Sequence, residues 1–172
     1  TGNNKGYVDL GSIIGADIFS QLKTNYTISL DICVTTPNQL SNFCWAWAIS
    51  NGTGQYSALV NKAGNANWYY EIKDGTAYQT NSNSSLKVNE WHTITVVQKG
   101  TTNTLYIDGV QKGTSTISLK PTTFGYQLVG NWLGRSPFSG DAYMTNTYFD
   151  NFRVYNTALS EADITSLAEQ RP

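Results

Sequence analysis

Carboxylates, two cysteines, one histidine and a large set of aromatic side chains are the groups in this 172-residue chain that could do chemistry. Glycoside hydrolysis on a β scaffold requires two carboxyl groups about 5 to 10 Å apart, commonly acidic residues alternating along one strand face. The glutamates, Glu71, Glu90, Glu161 and Glu169, are scattered, and the last two fall in a predicted C-terminal helix. Asp74 and Asp108 each precede a glycine and are explained by turns, and Asp163 by helix capping. The pattern therefore predicts no catalytic residues. His92 has no serine or cysteine motif beside it and reads as structural. One His and two Cys do not complete a tetrahedral zinc set without carboxylates. Calcium takes its oxygens from backbone and Asn carbonyls as readily as from Asp. The loop-rich candidates for such an ion are Asp141 and Asn131, with Asp150 and Asn151 beside them, although Asp150 is equally explained as an acceptor near a strand start. No cofactor is required, and a structural calcium ion is the metal the composition leaves open.

The aromatics carry more. Sugar rings present apolar C–H faces that stack on Trp and Tyr, while their hydroxyls are met by amide, acidic and basic side chains. In Trp68 to Lys73, strand alternation puts Trp68, Tyr70 and Ile72 on a core face and Tyr69, Glu71 and Lys73 on an exposed one. Tyr78 lies across the following hairpin and joins either set. A second group, Trp132, Arg135, Phe138, Asp141 and Tyr143, sits among Gly and Ser. These are the candidate ligand-binding residues; each aromatic among them is also a candidate for packing.

The elements that must position these groups are strands. Tyr26 to Ile32 alternates, with Ile28, Leu30, Ile32 and Val34 on one face. Strand-like runs recur at Phe43 to Ile49, Tyr56 to Val60, Trp68 to Lys73, Trp91 to Gln98, Thr104 to Ile107, Tyr126 to Leu133 and Tyr148 to Tyr155. Asp74-Gly75 and Asp108-Gly109 predict two-residue hairpin turns. Thr76 to Ser85 is polar enough for a long mobile loop or a weak edge strand, and Gly11 to Leu22 fits a loop with a helical turn. Ser160 reads as the N-cap of a short helix whose buried stripe is Ile164, Leu167 and Ala168. Cys33 and Cys44 flank a Pro-containing connection between two strands, which predicts a cross-strand disulfide closing a loop of about a dozen residues and adding about 2 to 3 kcal/mol. The alternative is two thiols. The disulfide would require Trp45 and Trp47 to point into the core.

Composition bounds the partners. Eleven Lys+Arg against twelve Asp+Glu give a formal charge of −1, and charged residues make up only 13%. Without a basic run there is no electrostatic footprint for nucleic acid or an acidic membrane surface. No stretch approaches the ~20 apolar residues of a membrane span. Roughly fifty Ser, Thr and Asn residues give a β-rich, secreted character. Residues 1–172 read as one domain, excised from or attached to a larger protein that is secreted, periplasmic or at the cell surface.

Several blocks resemble the laminin-G-like, concanavalin A-like lectin/glucanase superfamily, in particular modules attached to bacterial glycoside hydrolases. They are Gly6 to Leu10, Tyr26 to Ile32, Glu90 to Val96, Leu105 to Gly109, Leu133 to Ser136, Asp141 to Tyr143 and Phe149 to Ile164. The resemblance implies an all-β fold, an antiparallel jelly-roll sandwich with a short C-terminal helix. It implies a monomeric, non-catalytic, lectin-like module that binds a polysaccharide or oligosaccharide beside an attached catalytic domain. The chain departs from the glucanase branch in lacking a Glu-x-Asp-x-x-Glu-like strand. It departs from the pentraxin branch in offering only Asp141 where that branch has a two-calcium acidic loop. Asp31 stands where many relatives carry an aromatic. The family also permits a protein-interaction, adhesion or spacer module, and a stand-alone hydrolase acting through Glu71 or Asp141 is a third expectation.

Overall fold

A computed structural model describes residues 6–36, 43–62, 66–124 and 130–172, without the side chains of residues 13–16. Among the described residues, eleven strands form two antiparallel sheets. The first contains, in spatial order, β1 (Val8–Asp9), β10 (Gly130–Leu133), β3 (Cys44–Ser50), β4 (Gln55–Asn61), β5 (Trp68–Asp74) and β6 (Thr76–Asn81). The second contains β11 (Thr147–Tyr155), β2 (Asn25–Val34), β7 (Trp91–Lys99), β8 (Thr102–Ile107) and β9 (Val110–Thr116). The alternation of β2 and β5 places Ile28, Leu30, Ile32, Trp68, Tyr70 and Ile72 between the sheets, where they join Tyr26, Trp47 and Leu59 in one core. Within it Tyr26 and Tyr70 share a hydroxyl hydrogen bond of 2.7 Å, and Ser57 donates to Tyr70 at 3.1 Å. The phenols are thereby buried without losing their polar partners.

Helix α1 (Ser12–Phe19) occupies the ambiguous early segment, and β6 takes the edge-strand form of its polar stretch. The hairpin at Asp108-Gly109 has the two-residue form, both residues lying at positive φ (53° and 78°), with Ile107 paired to Val110. At Asp74-Gly75 only the glycine has positive φ, and Asp74 pairs with Thr76, so the turn centres on Gly75 alone. Helix α2 (Glu161–Glu169) starts as its sequence predicts: Asp163 N–H donates to the Ser160 hydroxyl and Ser160 N–H to the Asp163 carboxylate, each at 3.2 Å. Residues 125–129, the first part of the Tyr126 to Leu133 run, lie outside the described residues.

The disulfide does not form. Cys33 is the penultimate residue of β2 in the five-stranded sheet and Cys44 begins β3 in the six-stranded one, and both are buried thiols. Their strands are not neighbours, and Cys44 belongs to the inner core whereas Cys33 stands on the face opposite Ile32 and Val34. The linked expectation for the tryptophans fails as well. The β3–β4 register slips between Trp45 and Trp47, a bulge that sends Trp47 into the core and Trp45 to the outer face.

Candidate functional site

The outer face of the six-stranded sheet carries the candidate site. Strand register places Asp9, Trp132, Ala48, Ala58, Glu71 and Gln79 in one row across β1, β10, β3, β4, β5 and β6. Two alanines thus form the floor, with Trp132 toward one end and Glu71 toward the other. The segment after β10 crosses this floor and lays Phe138 against Trp45 and Tyr56, with ring centroids 5.7 and 5.9 Å apart. Trp45 and Tyr56 meet edge to face at 5.0 Å. Ser136 sets the crossing: its hydroxyl donates to Asp141 at 2.7 Å and accepts the Phe138 N–H at 3.0 Å.

Beside this triad opens a cavity of about 200 Å³ lined by Trp45, Tyr56, Val60, Lys62, Glu71, Phe138 and Asp141, with the exposed Phe43 at its rim. It is smaller than the roughly 300 Å³ at which drug-sized sites begin, which suits a single sugar ring or a chain end. Glu71 is the polar centre. One carboxylate oxygen accepts the Tyr56 hydroxyl, and the other accepts the Gln79 amide and pairs with Lys62 at 2.8 Å. The Lys62 ammonium also lies 4.7 Å from the centre of the Tyr69 ring. Burial, the hydrogen bond to Glu71 and the charges of Glu71 and Asp141 raise the Tyr56 hydroxyl far above its ordinary range, which keeps it a donor. Below the pocket, burial and then the Asp141 charge push the Cys44 thiol up to about 11. The Trp45 side chain is only 3% exposed, and its indole N–H has no partner among the described residues.

A second cluster surrounds Arg135. Its guanidinium lies 4.1 Å from the Trp132 ring centre, 4.6 Å from that of Tyr7 and 5.8 Å from that of Tyr143. Tyr7 meets Trp132 edge to face at 6.2 Å. Gly130 lets the indole lie flat on the strand, since a Cβ there would stand 2.5 Å from the ring.

Of the residues singled out in the sequence, Glu71, Phe138 and Asp141 line the pocket, while Trp132, Arg135 and Tyr143 build the second cluster. Tyr69 and Glu71 face outward as alternation requires but are buried, because ring packing and the Lys62 and Gln79 side chains cover them. Lys73 shares their face, its ammonium 5.9 Å from the Tyr56 ring centre. Tyr78 pairs with Ile72 and so belongs to the opposite face, where it is exposed at the sheet edge. Asn131 and Asp141 are not brought together. Asn131 pairs with Ile49 on the inner face and donates to Gly11 O at 3.0 Å, whereas Asp141 lines the outer pocket. No group of three or more His, Cys, Asp or Glu fit to hold a metal occurs among the described residues. Trp45, Tyr56, Tyr7 and Lys62 lay outside the candidate ligand-binding residues of the sequence. Trp45 was hidden by the bulge, Tyr56 by the brevity of its run, and Tyr7 by the pairing of β1 with β10 more than 120 residues away.

Known proteins match this architecture. The laminin G-type model of the concanavalin A-like lectin/glucanases superfamily matches residues 2–165. Domain 4 of AbnA, an extracellular GH43 arabinanase of Geobacillus stearothermophilus solved with arabinotriose, superposes with a TM-score of 0.69 at 18% identity, over 86% of this chain and 68% of that one. The NanB sialidase of Streptococcus pneumoniae superposes with a TM-score of 0.75 at 17% identity, over 95% of this chain. The present chain spans about a quarter (26%) of that sialidase. The binding domain of Paraclostridial Mosquitocidal Protein 1 gives a TM-score of 0.60 at 21% identity, over 84% of this chain and 37% of that one. No curated protein sequence matches the chain.

Proposed function

The chain belongs to the concanavalin A-like lectin/glucanases superfamily, and on that premise we propose that it is a non-catalytic carbohydrate-binding module of a larger extracellular polysaccharide-degrading protein. Residues 1–172 would form its single domain, and tethering to a catalytic partner would raise the local substrate concentration even for weak binding. One observation carries the reading: a pocket walled by Trp45, Tyr56 and Phe138 is lined by a paired, buried carboxylate and by a tryptophan whose buried indole N–H has no partner among the described residues. Buried donors are normally paired, so an unpaired one in a cavity wall fits a ligand oxygen such as a sugar hydroxyl. The solved AbnA domain, which shares the fold and was crystallised with arabinotriose, is consistent with that use.

Affinity electrophoresis and calorimetry against a broad panel of plant and host glycans test it. Retardation by at least one glycan, weakened by changing Trp45, is expected; no binding across the panel overturns the proposal.

A second reading has its own observation, because Glu71 and Asp141 line one pocket. Both are engaged, Glu71 by Tyr56, Gln79 and Lys62 and Asp141 by Ser136, which leaves neither poised to transfer a proton. Polysaccharide hydrolysis abolished by Glu71→Gln would establish this reading in place of the first.

A further inference from the structure

We infer that Arg135, held by Tyr7, Trp132 and Tyr143, forms a second subsite that selects a carboxylate-bearing sugar. The inference rests on the carbohydrate reading and names the class of glycan. The guanidinium carbon lies 4.1 Å from the Trp132 ring centre and 4.6 Å from that of Tyr7, two rings that stand at 80° to each other. A ring face attracts the cation without accepting its in-plane N–H groups as an oxygen would. Among the described residues no carboxylate lies within ion-pair distance of Arg135 and no acceptor receives a hydrogen bond from it. Asp9, the row neighbour of Trp132, accepts the Gly11 N–H at 2.8 Å, and Asp141 accepts the Ser136 hydroxyl at 2.7 Å. A guanidinium fork that no described acceptor engages is the partner a carboxylate takes up with two parallel hydrogen bonds. Tyr7 is 41% exposed, and Trp132 and Tyr143 are half-buried, so ring surface remains for the sugar carrying that carboxylate.

The pocket differs in charge. Its cation, Lys62, is committed to Glu71 at 2.8 Å. Trp132 and Glu71 share one row three strand intervals apart, ~14 Å at ordinary sheet spacing.

The test measures dissociation constants of the intact protein for polygalacturonate, glucuronoxylan, hyaluronan and sialyllactose, each beside its carboxyl-reduced derivative, with polyglutamate as a sugar-free polyanion. At least one carboxylated glycan should bind about tenfold more tightly than its reduced form. Arg135→Lys, which keeps the charge and loses the fork, should bring that ratio close to one while the melting temperature stays unchanged. Equal binding of every pair overturns the subsite and leaves the carbohydrate reading standing. Equal binding of polyglutamate, or an unchanged ratio in Arg135→Lys, overturns it as well. Failure to bind any glycan, reduced or not, overturns both.

Discussion

The two outer faces of the sandwich are built on the same alternation and differ in what they present, a hydrogen-bonded polar lattice on one and aromatics around a cavity on the other. On the five-stranded sheet, β2 and β7 present Thr27, Ser29, Asp31, Thr93 and Thr95, all at most 1% exposed. Asp31 accepts Thr93 at 2.6 Å and Asn151 at 2.8 Å, Ser29 meets Thr95 at 3.0 Å, and Thr27 donates to Thr157 O while accepting Leu159 N–H. Helix α2 closes this face by packing Ile164 on Val97 and Tyr106. The six-stranded sheet presents aromatics and a cavity and leaves the Trp45 N–H unmatched. The first face uses its polar residues to hold the fold together; the second sets a paired carboxylate and one unmatched indole N–H in a wall of aromatics around a cavity.

The contrast breaks most visibly at Asp31. Asp31→Ala strands the Thr93 hydroxyl and the Asn151 amide in a buried site and should cost about 3 kcal/mol in urea unfolding, with glycan affinity retained by the folded fraction. At Trp45 the order reverses. Trp45→Phe keeps a ring but removes an N–H that bonds nothing in the unliganded protein, so glycan affinity should fall about tenfold, or about 1.4 kcal/mol. A larger loss in melting temperature than in affinity would show that Trp45 is packing alone.

Asp108 sharpens the comparison through pH. Burial opposes its ionisation but is outweighed by hydrogen bonds from His92 and the Thr93 N–H and by the charges of His92 and Arg171, so its carboxyl is held below the usual 3.8. Its stabilisation is therefore present above the unfolded value and lost as pH falls through the lower folded value. Wild-type stability should decline in that acidic window, and Asp108→Asn should flatten the decline and cost about 1 kcal/mol at neutral pH. The smallest effect belongs to the thiols: a reductant should leave the melting temperature unmoved, since Cys33 and Cys44 are not joined.

What the sequence conceals here is long-range pairing and parity. Ile28 to Val34 and Trp68 to Lys73 read correctly because simple alternation holds along each strand. Ser160 and Asp163 read correctly because a capping box is local. The bulge at Trp45 and Trp47 breaks alternation without a glycine or proline to announce it, and the disulfide read from the Pro-containing connection fails because β2 and β3 lie in different sheets. Glu71, Trp132, Arg135, Phe138, Asp141 and Tyr143 were visible in the sequence. Tyr7, Trp45 and Tyr56 arrive through β1–β10 and β3–β4 pairing, which no window of sequence encodes. Asp31, unexpected as a replacement for an aromatic, is explained by its two buried donors.

The missing side chain at Gly130 has a thermodynamic meaning. With its indole pressed to the backbone and the Arg135 guanidinium 4.1 Å from its ring centre, Trp132 has already surrendered its rotameric freedom during folding. An approaching ligand therefore meets a surface that need not be ordered on contact, sparing about 0.5 to 1.5 kcal/mol for each side chain held in advance. Gly130→Ala would lift the ring and return that motion to it, so its signature would be an entropic penalty on association rather than a lost contact.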